Sequence, residues 1–331
     1  MEQRHLGRTG LRVSRIGLGT LTWGQSPGGT AESDAAEQLK AFWDAGGTLV
    51  DTADVYAGGE AEYLLGRLVS GLVPREDLVI ATKAGTVRER ERRSDGSRGH
   101  LLAALDASLD RLGTDHVDLW QVHAFDPHTP LEETLQALDL AVSSGRARYA
   151  GVAGFSGWQL AKAATWQLAA PGVRTRLAGT QMEYSLLQRG VEREVLPAAL
   201  DLGVGLLPAS PLGRGVLTGK YREGAVPPGS RGDCEVLSGF VAPYLDDTAG
   251  RIVDAVATAA QGLAVTPLQV ALAWVRDRPG VAAPLVGART AAQLAEALSV
   301  EALTLPEEIC RALDDVSAPV HRYPDQDWST L

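Results

Sequence analysis

The sequence predicts an α/β fold, a (β/α)8 TIM barrel with an N-terminal β-hairpin and extra helices and loops toward its C-terminal end. Three observations carry this expectation. Short apolar runs alternate with amphipathic stretches along most of the 331 residues. The runs are near-continuous, as strands of a parallel sheet covered on both faces are. Eight of them can be counted, the number that closes a barrel.

In chain order the strand runs are RIGLGT (15–20), TLVDTAD (48–54), LVIATK (78–83), VDLWQVH (117–123), YAGVAG (149–154), GTQMEY (179–184), GVGLLPAS (203–210) and APLVGA (283–288). The amphipathic stretches fall at 33–45, 60–70, 100–112, 131–143, 158–169, 191–202, 247–262 with 267–276, and 291–298. Leu101, Leu102, Leu105, Leu109 and Leu112 recur at the spacing of one buried helix face. GLGT after the first run lacks the G-x-G-x-x-G of nucleotide-binding open sheets, which favours the closed barrel. Residues 2–13 alternate around Thr9 and Gly10, the pattern of a hairpin capping one end. The long polar segments 85–99 and 221–246 follow the third and seventh strands, on the side where barrel enzymes build their sites. No linker rich in Pro, Gly or Ser divides the chain, so residues 1–331 read as one domain.

Composition excludes several classes. With 45% hydrophobic and 22% charged residues the chain has an ordinary core fraction, and wholesale disorder is excluded. A net charge of −10 argues against a nucleic-acid partner, which needs a basic face. Cys234 and Cys310 lie far apart and give neither metal-ligand spacing nor a disulfide framework. Together with a polar start and no apolar run of membrane-spanning length, they lead us to expect a cytoplasmic protein without a membrane or metal partner. The 37 glycines are the compositional outlier.

The chemistry gathers at strand ends. The second strand ends in Asp51, with Tyr56 in the loop beyond; the third ends in Lys83 and the fourth in His123. A phenol of ordinary pKa near 10 is a poor acid at neutral pH, but an adjacent ammonium stabilises the phenolate and makes it a usable proton donor. A buried lysine needs a counter-charge, which Asp51 supplies, and His123 suits a hydrogen bond to a carbonyl oxygen as charge develops there. Each residue alone fits a structural role; four at one barrel face make a unit for protonating an oxygen while the carbon is attacked. Trp23, Trp120 and Phe125 lie near the first and fourth strand ends and suggest a partly apolar pocket for a small molecule, with simple core packing the alternative for each.

These motifs, from RHLGRTGLRVSRIGLGT through VDTADVY, ATK, DLWQVH, QMEYSLLQR, SPLGRGVLTGKY and PLVGARTAAQL, resemble the aldo-keto reductase superfamily, in the bacterial branch that also resembles potassium-channel beta subunits. The resemblance spans roughly residues 3–318. It implies an NADP(H)-dependent reductase of aldehydes or ketones, with Tyr56 as general acid, Lys83 and Asp51 as its tuning pair and His123 orienting the carbonyl. In SPLGRGVLTGKY it assigns Ser210, Leu212, Gly215 and Lys220 to the cofactor pyrophosphate, with Arg231 as a second clamp. Gly287, Arg289, Gln293 and Glu296 fall to the adenosine end, where the Arg289 guanidinium would take a 2′-phosphate and favour NADP over NAD. Gln181 falls to the nicotinamide carboxamide.

The chain also departs from the family pattern. The usual Gly-Val-Ser-Asn after the fifth strand reads Gly151-Val152-Ala153-Gly154, an aromatic residue expected before SPLGRG is Ala209, and an adenine-contacting Asn is Ala297. The first reading is therefore a reductase with a roomier nicotinamide pocket. A second is a non-redox acid/base enzyme, a dehydratase, isomerase or cyclase, using the same four residues. A third is a cofactor-sensing regulatory subunit. The Arg-rich stretch 87–99 reads as a solvated polar loop, the alternative being a segment that gates the pocket or attracts an anionic substrate. Tyr323 and Trp328 in the C-terminal tail suit either folding back over the barrel or meeting a second copy of the chain, so a homo-oligomer stays open.

Overall fold

The computed structural model describes residues 1–24, 28–87, 93–169, 172 and 174–319. The chain opens with an antiparallel hairpin, β1 (Gln3–His5) against β2 (Arg12–Ser14). Then β/α units follow in order: β3 (Gly17–Gly19), α1 (Glu32–Asp44), β4 (Leu49–Asp51), α2 (Glu60–Leu72), β5 (Val79–Ala84), α3 (Arg98–Leu112), β6 (Val117–Val122), α4 (Leu131–Ser143), β7 (Ala147–Ala153), α5 (Gly157–Ala169), β8 (Leu177–Glu183), α6 (Val195–Leu202) and β9 (Gly205–Ala209). Three helices, α7 (Glu235–Val241), α8 (Asp247–Leu263) and α9 (Pro267–Arg276), precede β10 (Leu285–Val286), and α10 (Ala291–Leu298) and α11 (Glu307–Val316) close the described chain.

Strands β3 to β10 form one parallel sheet in the order β10-β3-β4-β5-β6-β7-β8-β9. The ring closes beside β9, where Leu206 N donates to Gly280 O and Ala282 N donates to Leu206 O, each at 2.9 Å. All eight strand runs expected from sequence are present. The first and last shrink to three and two residues. The stretch expected as a helix at 191–202 is a 3-10 turn, Gly190–Glu192, before α6 starts at Val195. Pro197 explains the late start, because proline is accommodated only in the first helical turn, where no N–H is needed. Helices α7 and α11 were not expected individually.

Two apolar layers hold the barrel. Residues between the strands and the outer helices include Val50, Ile80, Trp120, Val122, Leu105 and Leu138. A second layer fills the floor, where Leu6, Leu11 and Val13 of the hairpin pack with Leu49, Ala81, Leu119 and Leu207. Gly179 and Gly205 make room for this plug: a Cβ on either would come within 3.1 and 2.7 Å of the Leu6 side chain. Arg8 N donates to Gly203 O at 2.7 Å and pins the hairpin to the floor. Among the described residues no single helix is long and apolar enough to cross a membrane.

Candidate active site

Side chains at the strand ends inherit their placement from the register. Asp51, last in β4, pairs with Ala81, and Lys83 stands two residues farther along β5 on the same, inward face. Lys83 is fully buried, and its ammonium donates to Asp51 Oδ2 at 2.8 Å, Thr52 O at 2.6 Å and the Tyr56 hydroxyl at 3.3 Å. Tyr56 reaches the ammonium from a turn in which Ala57, Gly58 and Gly59 all have positive φ (48°, 70° and 97°). Ala57 there holds a conformation L side chains adopt rarely, a cost of about 1 kcal/mol or more accepted at functional turns. The His123 ring stands edge-on to Tyr56, with ring centroids 6.0 Å apart. Gln181 Nε2 donates to Asp51 Oδ2 at 3.4 Å.

Burial governs the protonation of this cluster. It raises the Asp51 carboxyl above its ordinary value against the pull of Lys83. It works against the Lys83 ammonium too, but Asp51 and the Tyr56 oxygen outweigh it and hold the lysine pKa above normal. His123 falls to about 3, through burial first and the Lys83 charge second, so its imidazole is neutral. Tyr56 corrects the expectation from sequence. Its phenol is raised, not lowered, because burial and the Asp51 charge exceed the help Lys83 gives. The ammonium is closer to Asp51 than to Tyr56, and most of its field is spent there.

From Asp51, Tyr56 and Gln181 a cavity of about 360 Å³ runs along the ends of β9, β10 and β3. Ser210, Leu212, Gly215, Lys220, Arg231, Gly287, Arg289, Gln293 and Glu296 line it, together with Ala209 and Ala297. The backbone turns sharply here: Ser210, Gly213, Arg214 and Gly215 all have positive φ. A Cβ on Gly215 would lie 3.1 Å from Lys220 Nζ. Arg231 Nη1 donates to Arg214 O at 3.0 Å, and Arg289 Nη1 donates to Gly229 O. Among the described residues no carboxylate pairs with Lys220, Arg231 or Arg289. Burial and the neighbouring guanidinium charges push the pKa of Lys220 and of Arg231 down. Three cations that repel one another in one cleft are the donor set for an anion with more than one charge.

The departures lie at the other end. Ala153 is buried and in register with Gln181, and Gly154 N donates to Gln181 O at 3.0 Å. Gly154 has φ +66°, and a Cβ there would touch only His123 O at 3.5 Å and Ala124 Cα at 4.0 Å.

Two expected pocket aromatics are corrected. Trp120 is fully buried in the layer between strands and helices, because its neighbour Gln121, in register with Lys83, takes the inward face and strand alternation sends Trp120 outward. Trp23 is equally buried and donates from Nε1 to Gln38 Oε1 of α1 at 3.1 Å. Phe125 is half-buried, edge-on to Phe155 and to Trp158, which is 59% exposed. Residues 88–92 of the Arg-rich stretch, and Tyr323 and Trp328 of the tail, lie outside the described residues.

Sequence reasoning missed a strap. Arg214 lines the cavity and pairs in two-pronged fashion with Glu183 at the end of β8, at 3.0 and 2.7 Å. Its guanidinium lies 4.1 Å from the Phe240 ring centroid and 5.0 Å from that of Tyr244, whose hydroxyl donates to Glu183 at 2.9 Å. Segment 235–244 is thereby tied across the cleft. The only signal was the polar, glycine-rich run 221–246, which does not say what it touches.

The model of the Aldo/keto reductase family matches residues 15–318. The chain is 35% identical to the uncharacterized oxidoreductase YrpG of Bacillus subtilis (strain 168), covering 96% of each chain. It is 36% identical to a probable voltage-gated potassium channel subunit beta of Oryza sativa subsp. japonica, covering 98% of each. A versiconal hemiacetal acetate reductase of Aspergillus parasiticus is 32% identical over 98% of this chain and all of that one.

Proposed function

The chain belongs to the aldo/keto reductase family and is an oxidoreductase on that ground, and from this premise we propose that it reduces an aldehyde or ketone of a small molecule with NADPH. The observation that carries the proposal is the continuity of one cavity, from the Lys83–Asp51–Tyr56 cluster to Lys220, Arg231 and Arg289, cations that no carboxylate pairs with among the described residues.

The donor set fits a dinucleotide phosphate. Lys220 and Arg231 would hold the pyrophosphate, helped by the tight backbone at 210–215; Arg289, beside Gln293 and Glu296 of α10, would hold the 2′-phosphate. Bound there, the cofactor supplies a hydride. Tyr56 supplies the proton to the carbonyl oxygen, and its phenolate is then stabilised by the adjacent Lys83 ammonium. Neutral His123 donates a hydrogen bond to the same oxygen, and Asp51 keeps Lys83 charged. Phe125, two residues beyond His123 and edge-on to Trp158, would give the substrate side an apolar wall.

Titration with NADPH followed by quenching of the seven tryptophans tests this reading. Saturable quenching with carbonyl-dependent oxidation of NADPH is expected; no binding at millimolar cofactor ends it. A second reading, acid/base chemistry without hydride transfer, is favoured by Ala153, Gly154 and Ala209, which leave Gln181 alone to hold a carboxamide. Turnover persisting after complete cofactor removal would support that reading. A regulatory-subunit role, a homo-oligomer and a cytoplasmic location are proposals that rest on the kinship and on composition.

A further inference from the structure

The interior of such a barrel is filled by layers of side chains taken from alternate strands, and here one layer is polar. Followed through the pairings, Asp51 stands level with Ala81, Leu119 and Tyr149, whereas Gln181 stands level with Ala153, farther along β7. Their side chains nevertheless meet, at 3.4 Å, so the barrel climbs about one residue per strand. On β6, midway between them, the residue on their level is Gln121, two beyond Leu119. Leu285 of β10 closes the layer, since Asp51 pairs with Gly19 and Leu285 with Gly17. Asp51, Gln181 and Leu285 line the one cavity, and Gln121 stands behind it, fully buried. Neither Oε1 nor Nε2 of Gln121 has a hydrogen-bond partner among the described residues. A Cβ on Gly151 would lie 3.1 Å from its Cγ and 3.5 Å from its Oε1, so the glycine is what lets this side chain turn into the barrel. Asp51 has the complementary need: Oδ2 accepts from Lys83 and Gln181, while Oδ1 is buried with no partner. By the same stagger the next layer toward the rim is Lys83, Ala153, Ala209 and Gly19, so only the lysine stem and small residues stand over these atoms.

We propose that Gln121 and Asp51 Oδ1 hold an internal water between them, and that Gln121 is thereby a positioning residue for Asp51. Unpaired buried amides and carboxylate oxygens are costly, and protein interiors meet that cost with ordered water bound to several polar atoms. The water accepts from Gln121 Nε2 and donates to Asp51 Oδ1. A donor at that oxygen favours the carboxylate over the acid. Burial raises the Asp51 carboxyl, with Lys83 and Gln181 pulling against it, and the water adds to their pull. Asp51 then stays the counter-charge that fixes the Lys83 ammonium, and the ammonium stays beside Tyr56. With Lys83 above and the Leu6 plug below, such a water exchanges slowly with solvent.

The inference rests on the reductase reading only for its kinetic arm. The test compares the full chain with Gln121→Met, which keeps the length of the side chain and removes both hydrogen-bonding groups. A high-resolution crystal structure locates internal water, and oxygen-17 magnetic relaxation dispersion counts the long-lived waters in solution. Wild type should show water density between Gln121 and Asp51, and Gln121→Met should lose that density and at least one long-lived water. Gln121→Met should also melt below wild type, because Asp51 Oδ1 loses its donor. A dry, unpaired amide predicts the opposite sign, since removing it would relieve a cost. Turnover should fall about 10-fold, the worth of one hydrogen bond to a charged group, with KM for NADPH unchanged. Wild-type density without water on Gln121 overturns the proposal, as does a Gln121→Met chain that melts no lower than wild type. Should Gln121→Met fail to fold, the wild-type density decides alone. If no reduction is seen with any carbonyl, water and melting still judge Gln121, and only the reductase reading falls.

Discussion

Lys83 Nζ stands 2.8 Å from Asp51 Oδ2 and 3.3 Å from the Tyr56 hydroxyl, so one buried ammonium serves two oxygens and serves the carboxylate better. Replacing Asp51 by Asn should free the ammonium for the phenol and lower the Tyr56 pKa, seen as tyrosinate absorbance at lower pH. Lys83→Met should instead leave Asp51 as a lone buried charge. A loss of about 3–5 kcal/mol of stability is expected in urea unfolding, together with loss of turnover. A Lys83→Met chain as stable as wild type would contradict the ion pair.

On the proposed reading, Arg289 is the residue that tells the two nicotinamide cofactors apart. Arg289→Leu removes a charged donor to a phosphate, worth about 1.5–3 kcal/mol, and should weaken NADPH roughly 10- to 100-fold. NADH affinity should barely change. Fluorescence titration with both cofactors makes the comparison, and equal losses would remove the 2′-phosphate from Arg289.

Gly154 already holds the left-handed backbone that asparagine tolerates, and a Cβ there meets only ordinary contacts. Gly154→Asn combined with Ala153→Ser should therefore fold normally and add carboxamide partners. At about 0.5–1.5 kcal/mol for each of two hydrogen bonds, NADPH should bind roughly 5- to 100-fold tighter. Unchanged binding would mean that the nicotinamide end does not lie against β7.

The Glu183–Arg214 pair ties segment 235–244 to the end of β8, and breaking it should let the cleft open faster. Arg214→Met removes its two hydrogen bonds to Glu183, its bond to Phe240 O and its stacking on Phe240 and Tyr244. Release of NADPH in stopped-flow should accelerate more than association does. Equal dissociation rates in the two proteins would show that segment 235–244 does not retain the ligand.

His123 sets acid sensitivity. Its pKa falls from 6.5 to about 3 in the folded chain, so the unfolded chain binds a proton the folded one refuses. Stability is whole above about pH 6.5 and is lost as pH falls toward 3, by an amount on the order of 4–5 kcal/mol. In His123→Gln this slope should disappear from the unfolding free energy between pH 6 and 4. Imidazole NMR of the wild type should show no His123 titration in that window.

The barrel was legible because parallel strands buried on both faces leave uninterrupted apolar runs, and all eight runs became strands. Three residues of the cluster were legible for a related reason: Asp51, Lys83 and His123 are polar groups closing such runs, where burial would otherwise be costly. The two tryptophans misled because facing inward or outward is fixed by a single step of register, and Gln121 takes the inward face beside Trp120. The tuning of Tyr56 was not legible either. Its direction depends on the burial of the phenol and on half an ångström between Lys83 and its two partners, neither of which a sequence states.

The hairpin plug decides how water reaches the reaction. With Leu6 wedged over Gly179 and Gly205, the floor is sealed before any ligand arrives. On the proposed reading, substrate, cofactor, product and solvent would all come by the loop-bearing rim, where the cavity lies. Dryness at Tyr56 is then a property of whatever fills that rim at a given moment, so a slow-leaving product protects the site from hydration as well as a substrate does.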